Sequence, residues 1–102
     1  MIHVIATIKV KTGMREAYLG ILKANVPNVL AEKGCIAYVP TVDVESGIPV
    51  QVELRPDVVT LVEAWESLAD LQVHLKTPHM LAYRERVKDI VKNISLHVLT
   101  PA

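Results

Sequence analysis

Cysteine is nearly missing from this chain. Of 102 residues only Cys35 is one, which excludes an intrachain disulfide and a cysteine-rich zinc site and fits a reducing compartment. A net charge of either sign is missing as well: 11 Lys and Arg balance 11 Asp and Glu. Nothing therefore recruits nucleic acid or an acidic membrane, whose binding modules carry a basic excess. No run approaches the roughly 18 to 20 apolar residues of a transmembrane helix. The apolar opening MIHVIATIKVK breaks at Lys9 without a small-residue cleavage motif, so no secretory leader is expected. The expectation is a soluble, cytoplasmic protein with neither a nucleic-acid nor a membrane partner.

What is present is apolar. Just over half of the residues, 51%, are hydrophobic, high for so small a chain. Residues 1–102 are expected to fold as a single domain that sets some apolar surface against another copy of itself.

The stretch with most chemistry runs from Val58 to Arg86. Val58 to Glu66 is Val-rich and free of Gly and Pro, and reads as a strand. Its period of two puts Val59, Leu61, Glu63 and Trp65 on one face. A carboxylate at Glu63, two residues from the only tryptophan, needs a partner or loses its charge if that face is buried. Ser67 and Asp70 have capping-box spacing, so a short helix follows, with Leu68, Leu71 and Leu75 as its stripe and His74 at the stripe's edge. Thr77 and Pro78 open a second helix, with His79 in its first turn. Met80, Tyr83, Val87, Ile90 and Val91 carry its helical spacing to about Lys92.

Ile2 to Lys11 alternates as a first strand. Met14 to about Lys33 reads as a helix closed by Gly34, with Pro27 expected to kink or divide it and Asn25 on its apolar stripe. Cys35 to Val44 is a second strand, carrying Tyr38; Pro40 marks an edge or bulge there. Glu45 to Asp57 alternates between turn residues, an expected extended hairpin arm. Ile94 to Thr100 is a last strand. The order strand, helix, strand, strand, helix pair, strand is the split βαβ arrangement: an α+β fold whose four-stranded antiparallel sheet carries its helices on one face. The helix-free face must be covered, and a dimer stacked sheet to sheet would cover it.

GCIAYVP after the first helix, then LVEAW, then His74 nine residues after Trp65 in SLADLQVHLKTPH, resembles the antibiotic biosynthesis monooxygenase domain family, over almost the whole chain. The resemblance implies a ferredoxin-like fold, a dimeric α+β barrel, and a pocket between sheet and helices. Members of the family oxidise electron-rich aromatics or quinols with O2 as co-substrate, often with no metal or flavin. Carried over by position, Glu63, Trp65, His74 and His79 match its motif, while Asn25 and Tyr38 are pocket candidates by placement. The chemistry is coherent: His74 or His79 as base, Glu63 orienting it, Trp65 stacking on the ring, Asn25 holding an oxyanion, with Tyr38, Tyr83 and Arg84 as further substrate-binding candidates. Partners are then a second copy or a higher oligomer and a small quinol-like or polyketide aromatic. Haem-degrading relatives carry an Asn and an axial His where this chain has Thr7 and Arg84. Proteins that degrade a phosphorylated autoinducer-2-type dione also resemble it, in the step Thr77 to His79 and the pair Ala24-Asn25. They imply an isomerase, with Lys76, Arg84 or Arg86 on phosphate. A non-catalytic small-molecule-binding module is the remaining alternative.

Overall fold

The computed structural model describes residues 1–102. Seven elements follow one another: β1 (Ile2–Val10), α1 (Arg15–Leu30), β2 (Cys35–Thr41), β3 (Val58–Trp65), α2 (Leu68–His74), α3 (Pro78–Val87) and β4 (Val91–Leu99). The strands lie in the order β2-β3-β1-β4, each antiparallel to its neighbours. This is the ferredoxin-like α+β architecture that the element order predicts.

The period of two decides what the helices cover. Val4, Ala6, Ile8 and Val10 of β1 are buried; Glu63, Leu61 and Val59 of β3 lie opposite the first three, and the Val10 N–H donates to the Asp57 carbonyl at 2.9 Å. Tyr38 of β2 pairs with Glu63 in turn, so Val4, Glu63 and Tyr38 form one row under the helices. Tyr18, Leu19, Leu22 and Val29 of α1, Leu71 of α2 and Met80 and Val87 of α3 complete the core. Both short helices start where their caps predict. The Ser67 hydroxyl accepts the Asp70 N–H at 3.1 Å, and the Thr77 hydroxyl accepts the Met80 N–H at 3.4 Å, with Pro78 at the first helical position. Caps of this kind contribute about 1 kcal/mol each.

Four local expectations are corrected. Pro27 does not divide α1, which runs through it to Leu30; only the last turn lies beyond it, so little helix is at stake. Gly34 is not the residue that closes α1, because Ala31 caps the helix and Gly34, at φ +82°, turns the chain into β2. Pro40, as expected, lies on an edge strand, opposite Leu61, and the bulge in β2 falls between Cys35 and Ala37. α3 stops at Val87, and Val91 pairs with Val10 as the start of β4. Residues 42–57 form no strand pair. Side chains capture the backbone there instead: Gln51 Nε2 donates to the Val44 carbonyl at 2.7 Å and the Gly47 N–H to Glu45 at 3.0 Å. The Asp43 carboxylate closes the base of the loop on the Arg55 guanidinium and on the Arg55 N–H.

No helix lies over β4, whose Ile94, Leu96 and Val98 remain exposed although they share the helix side of the sheet with Ile8, Ala6 and Val4. On the opposite face Val39, Val62 and Leu99 are also exposed. No helix is long and apolar enough to cross a membrane.

Candidate active site

A cavity of about 320 Å³ lies between the covered face of the sheet and helices α2 and α3. Its walls are mainly aliphatic, from Val4, Ala6, Ile8 and Leu61 below to Leu71 and Met80 above. Polar groups reach it at few points. Glu63 and His74 line it with Tyr18, Tyr38 and Tyr83, and Arg84 of α3 and Lys88 just beyond it add two cations.

Glu63 is there because odd positions of β3 face the helices. Its burial would be costly without a partner, and the partner is on its own strand: Trp65 Nε1 donates to Glu63 Oε1 at 2.9 Å. Residues two apart on a strand share a face, which makes this bond local. Burial pushes the Glu63 carboxyl up to about 7; the Trp65 N–H opposes the rise and the Glu32 charge adds to it. Oε2 of Glu63 has no protein partner.

His74, at the end of α2, is among the largest fully buried side chains. Its ring lies 4.7 Å from the Trp65 ring and 5.5 Å from that of Tyr38, which meets it edge-on. Nδ1 is bonded to Glu32 Oε2 at 2.7 Å. That carboxylate comes from the turn after α1, where the Glu32 N–H donates to Val29 and the Glu32 carbonyl accepts from Cys35. Burial holds the His74 imidazole below its ordinary value, against the pull of Glu32. The imidazole is therefore neutral near pH 7, and with Nδ1 committed to Glu32 the available nitrogen is Nε2. A neutral imidazole and a largely protonatable carboxyl thus line one apolar chamber, an arrangement suited to moving a proton on and off a bound hydroxyl.

The tyrosines frame the chamber. The hydroxyls of Tyr18 and Tyr83 are bonded to each other across α1 and α3. Burial raises the Tyr18, Tyr38 and Tyr83 hydroxyls above their usual value, so all three are neutral donors.

The family model for antibiotic biosynthesis monooxygenase matches residues 1–86. This chain belongs to that family. Within it, the chain is 43% identical over 103 residues to the probable quinol monooxygenase YgiN of Escherichia coli K12, covering 99% of this chain and 98% of the relative. A solved structure from Pseudomonas aeruginosa superposes with a TM-score of 0.80 at 26% identity, over 99% of this chain and 93% of its own. One from Mycobacterium tuberculosis gives 0.80 at 25% identity, over 99% and 94%. Family and relatives together support a monooxygenase-like, oxidoreductase function.

The residues singled out from the family motif do not all converge. Glu63, His74, Tyr38, Tyr83 and Arg84 line the cavity. Trp65 is fully buried and does not line it; its faces and its N–H serve His74 and Glu63 rather than a bound ring. Glu63 does not orient His74, because Glu32 does. His79 and Asn25 line a separate cleft between α1 and α3, with Asn28 and Arg86. There Asn25 accepts from Asn28 at 3.0 Å and donates to the Met80 sulfur at 3.5 Å. Two residues escaped the sequence reading. Tyr18 reads as ordinary stripe, and Glu32, in AEKG, reads as a solvated helix end, since nothing local points to a histidine 42 residues on.

Proposed function

We propose that this protein is a monooxygenase that oxidises a small quinol-like or polyketide aromatic with O2 in the cavity between sheet and helices, with no metal or flavin. The observation that carries the reading is the neutral His74 imidazole, fixed by Glu32 and set in an apolar chamber beside a protonatable Glu63. His74 Nε2 takes the proton of a substrate hydroxyl, and the anion left behind is electron-rich enough to pass one electron to O2. The resulting superoxide and substrate radical join at a ring carbon, forming a C–O bond. Protonation of the distal oxygen and loss of that carbon's hydrogen break the O–O bond, leaving a carbonyl and one water for each O2 consumed. Aliphatic walls flank the anion on the sheet and helix sides, and the neutral tyrosine hydroxyls and Glu63 supply hydrogen bonds to the substrate oxygens.

The protein acts as a homodimer in this proposal, with the exposed Val39, Val62 and Leu99 of the helix-free face set against a second copy. The test is oxygen uptake by purified protein with quinols and anthrone-like phenols, a chelator being present throughout. Chelator-resistant uptake that falls by about 10²-fold or more in His74→Ala supports the proposal. No uptake with any of these substrates, from correctly folded protein, overturns it.

A further inference from the structure

Glu32 touches two histidines, not one. Its Oε2 lies 2.7 Å from His74 Nδ1 and 3.2 Å from His79 Nε2. The two rings belong to different spaces: His74 lines the apolar cavity, and His79 lines the cleft of about 200 Å³ between α1 and α3. That cleft is polar where the cavity is not, with Asn25, Asn28 and Arg86 on its walls. Tyr83 is the wall shared by both. The carboxylate therefore bridges an apolar chamber to a polar surface cleft.

His79 carries the second observation. Both of its ring nitrogens are buried and neither has a hydrogen bond; Nε2 is near Glu32 but out of line for one. Buried polar atoms without partners are uncommon and call for a reason. The imidazole torsion about Cβ–Cγ is broad, so a modest turn of the ring brings Nε2 into line with Glu32 or presents a nitrogen to the cleft. An imidazole that alternates between those positions is built for handing on protons.

We propose that His79, Glu32 and His74 form a proton path between the apolar cavity and the α1–α3 cleft. The inference rests on the reading of His74 as the base. When His74 Nε2 takes the substrate proton, its Nδ1 proton passes to Glu32 Oε2. Glu32 passes a proton to His79 Nε2, and His79 releases its Nδ1 proton to water in the cleft. One proton leaves the substrate and one enters solvent, with no bond to carbon made or broken. The return of a proton along the same path resets both rings. The apolar chamber can then hold a substrate anion without retaining the proton that opposes its formation.

The first test needs no turnover. In protein labelled with ¹⁵N-histidine, the exchange of the His74 ring proton with solvent is followed by NMR in wild type, His79→Gln and Glu32→Gln. The path predicts that exchange slows about tenfold or more in His79→Gln, as for loss of a positioned proton carrier. Unchanged or faster exchange overturns it, faster exchange being the mark of a loosened fold. The second test uses oxygen uptake with a quinol substrate. His79→Gln should lower kcat at constant KM, and added imidazole, but not a bulky buffer of the same pKa, should restore it. A loss that imidazole does not restore counts against the path. Exchange at His74 that is slowed by His79→Gln, in a protein whose wild type consumes no oxygen, leaves the path standing and removes the monooxygenase reading alone.

Discussion

Trp65 and Glu63 are joined by the hydrogen bond from the indole N–H to the buried carboxylate, 2.9 Å long, on the covered face of β3. The bond favours the ionised form, and burial opposes it more strongly. Trp65→Phe keeps much of the ring and removes the donor. The Glu63 midpoint is then expected to move up from about 7, as carboxyl ¹³C NMR titration can check. A midpoint that stays or falls would show that the bond does not govern it.

Glu63 should also leave a mark on stability. Its folded value, about 7, stands above its ordinary 4.5, so the folded state holds a proton that the unfolded state gives up. Its contribution is fully present below pH 4.5 and is lost as pH rises to about 7, on the order of 3 kcal/mol. His74 runs the other way. Its folded value is lowered, so its contribution is present above about pH 6.5 and is lost as pH falls. Urea denaturation of wild type and Glu63→Gln across this range separates the two, because only the Glu63 component vanishes in the variant. A wild-type-minus-variant difference that does not decline with pH counts against the assignment.

Gly34→Ala tests the turn between α1 and β2. At φ +82° the backbone is strained for any residue with a Cβ, at about 1 to 3 kcal/mol. The new methyl also falls on the Asp70 side chain, 2.7 Å from its Cβ, so the start of α2 must shift as well. A thermal midpoint equal to that of wild type would mean that the turn relaxes freely.

Asp43 and Arg55 hold the loop of residues 42–57 closed, and the Asp43 carboxyl is drawn down to about 2 chiefly by the Arg55 guanidinium. Its contribution is present above pH 3.8 and lost as pH falls to about 2. Asp43→Asn should speed proteolytic cleavage within the loop at neutral pH while leaving the melting midpoint nearly unchanged. Equal cleavage rates would show that the side-chain bonds of Gln51 and Glu45 suffice.

The fold was legible because its signals are local and repeated. Alternation in β1 and β3, the caps at Ser67 and Thr77 and the order of elements leave few arrangements of so short a chain. Pairing Glu63 with Trp65 on one face needed only the period of a strand. What was not legible depends on separation along the chain. Glu32 reaches His74 and His79 only because α1 runs back across the sheet and ends beside α2. The segregation of His79 and Asn25 into their own cleft turns on which side of α3 each helix position faces. Residues 42–57 alternate as a strand should, yet polar side chains capture the backbone groups that a ladder would have used.

β4 is a nine-residue edge strand without Pro, and Ile94, Leu96 and Val98 stand exposed along one side of it. An edge of that length and polarity is a template on which another chain can add a strand, whatever its sequence. Covering it therefore serves solubility as much as it serves any pocket. A preparation in which that edge is left open should cloud on standing or warming, and charged substitution at Leu96 should keep it clear.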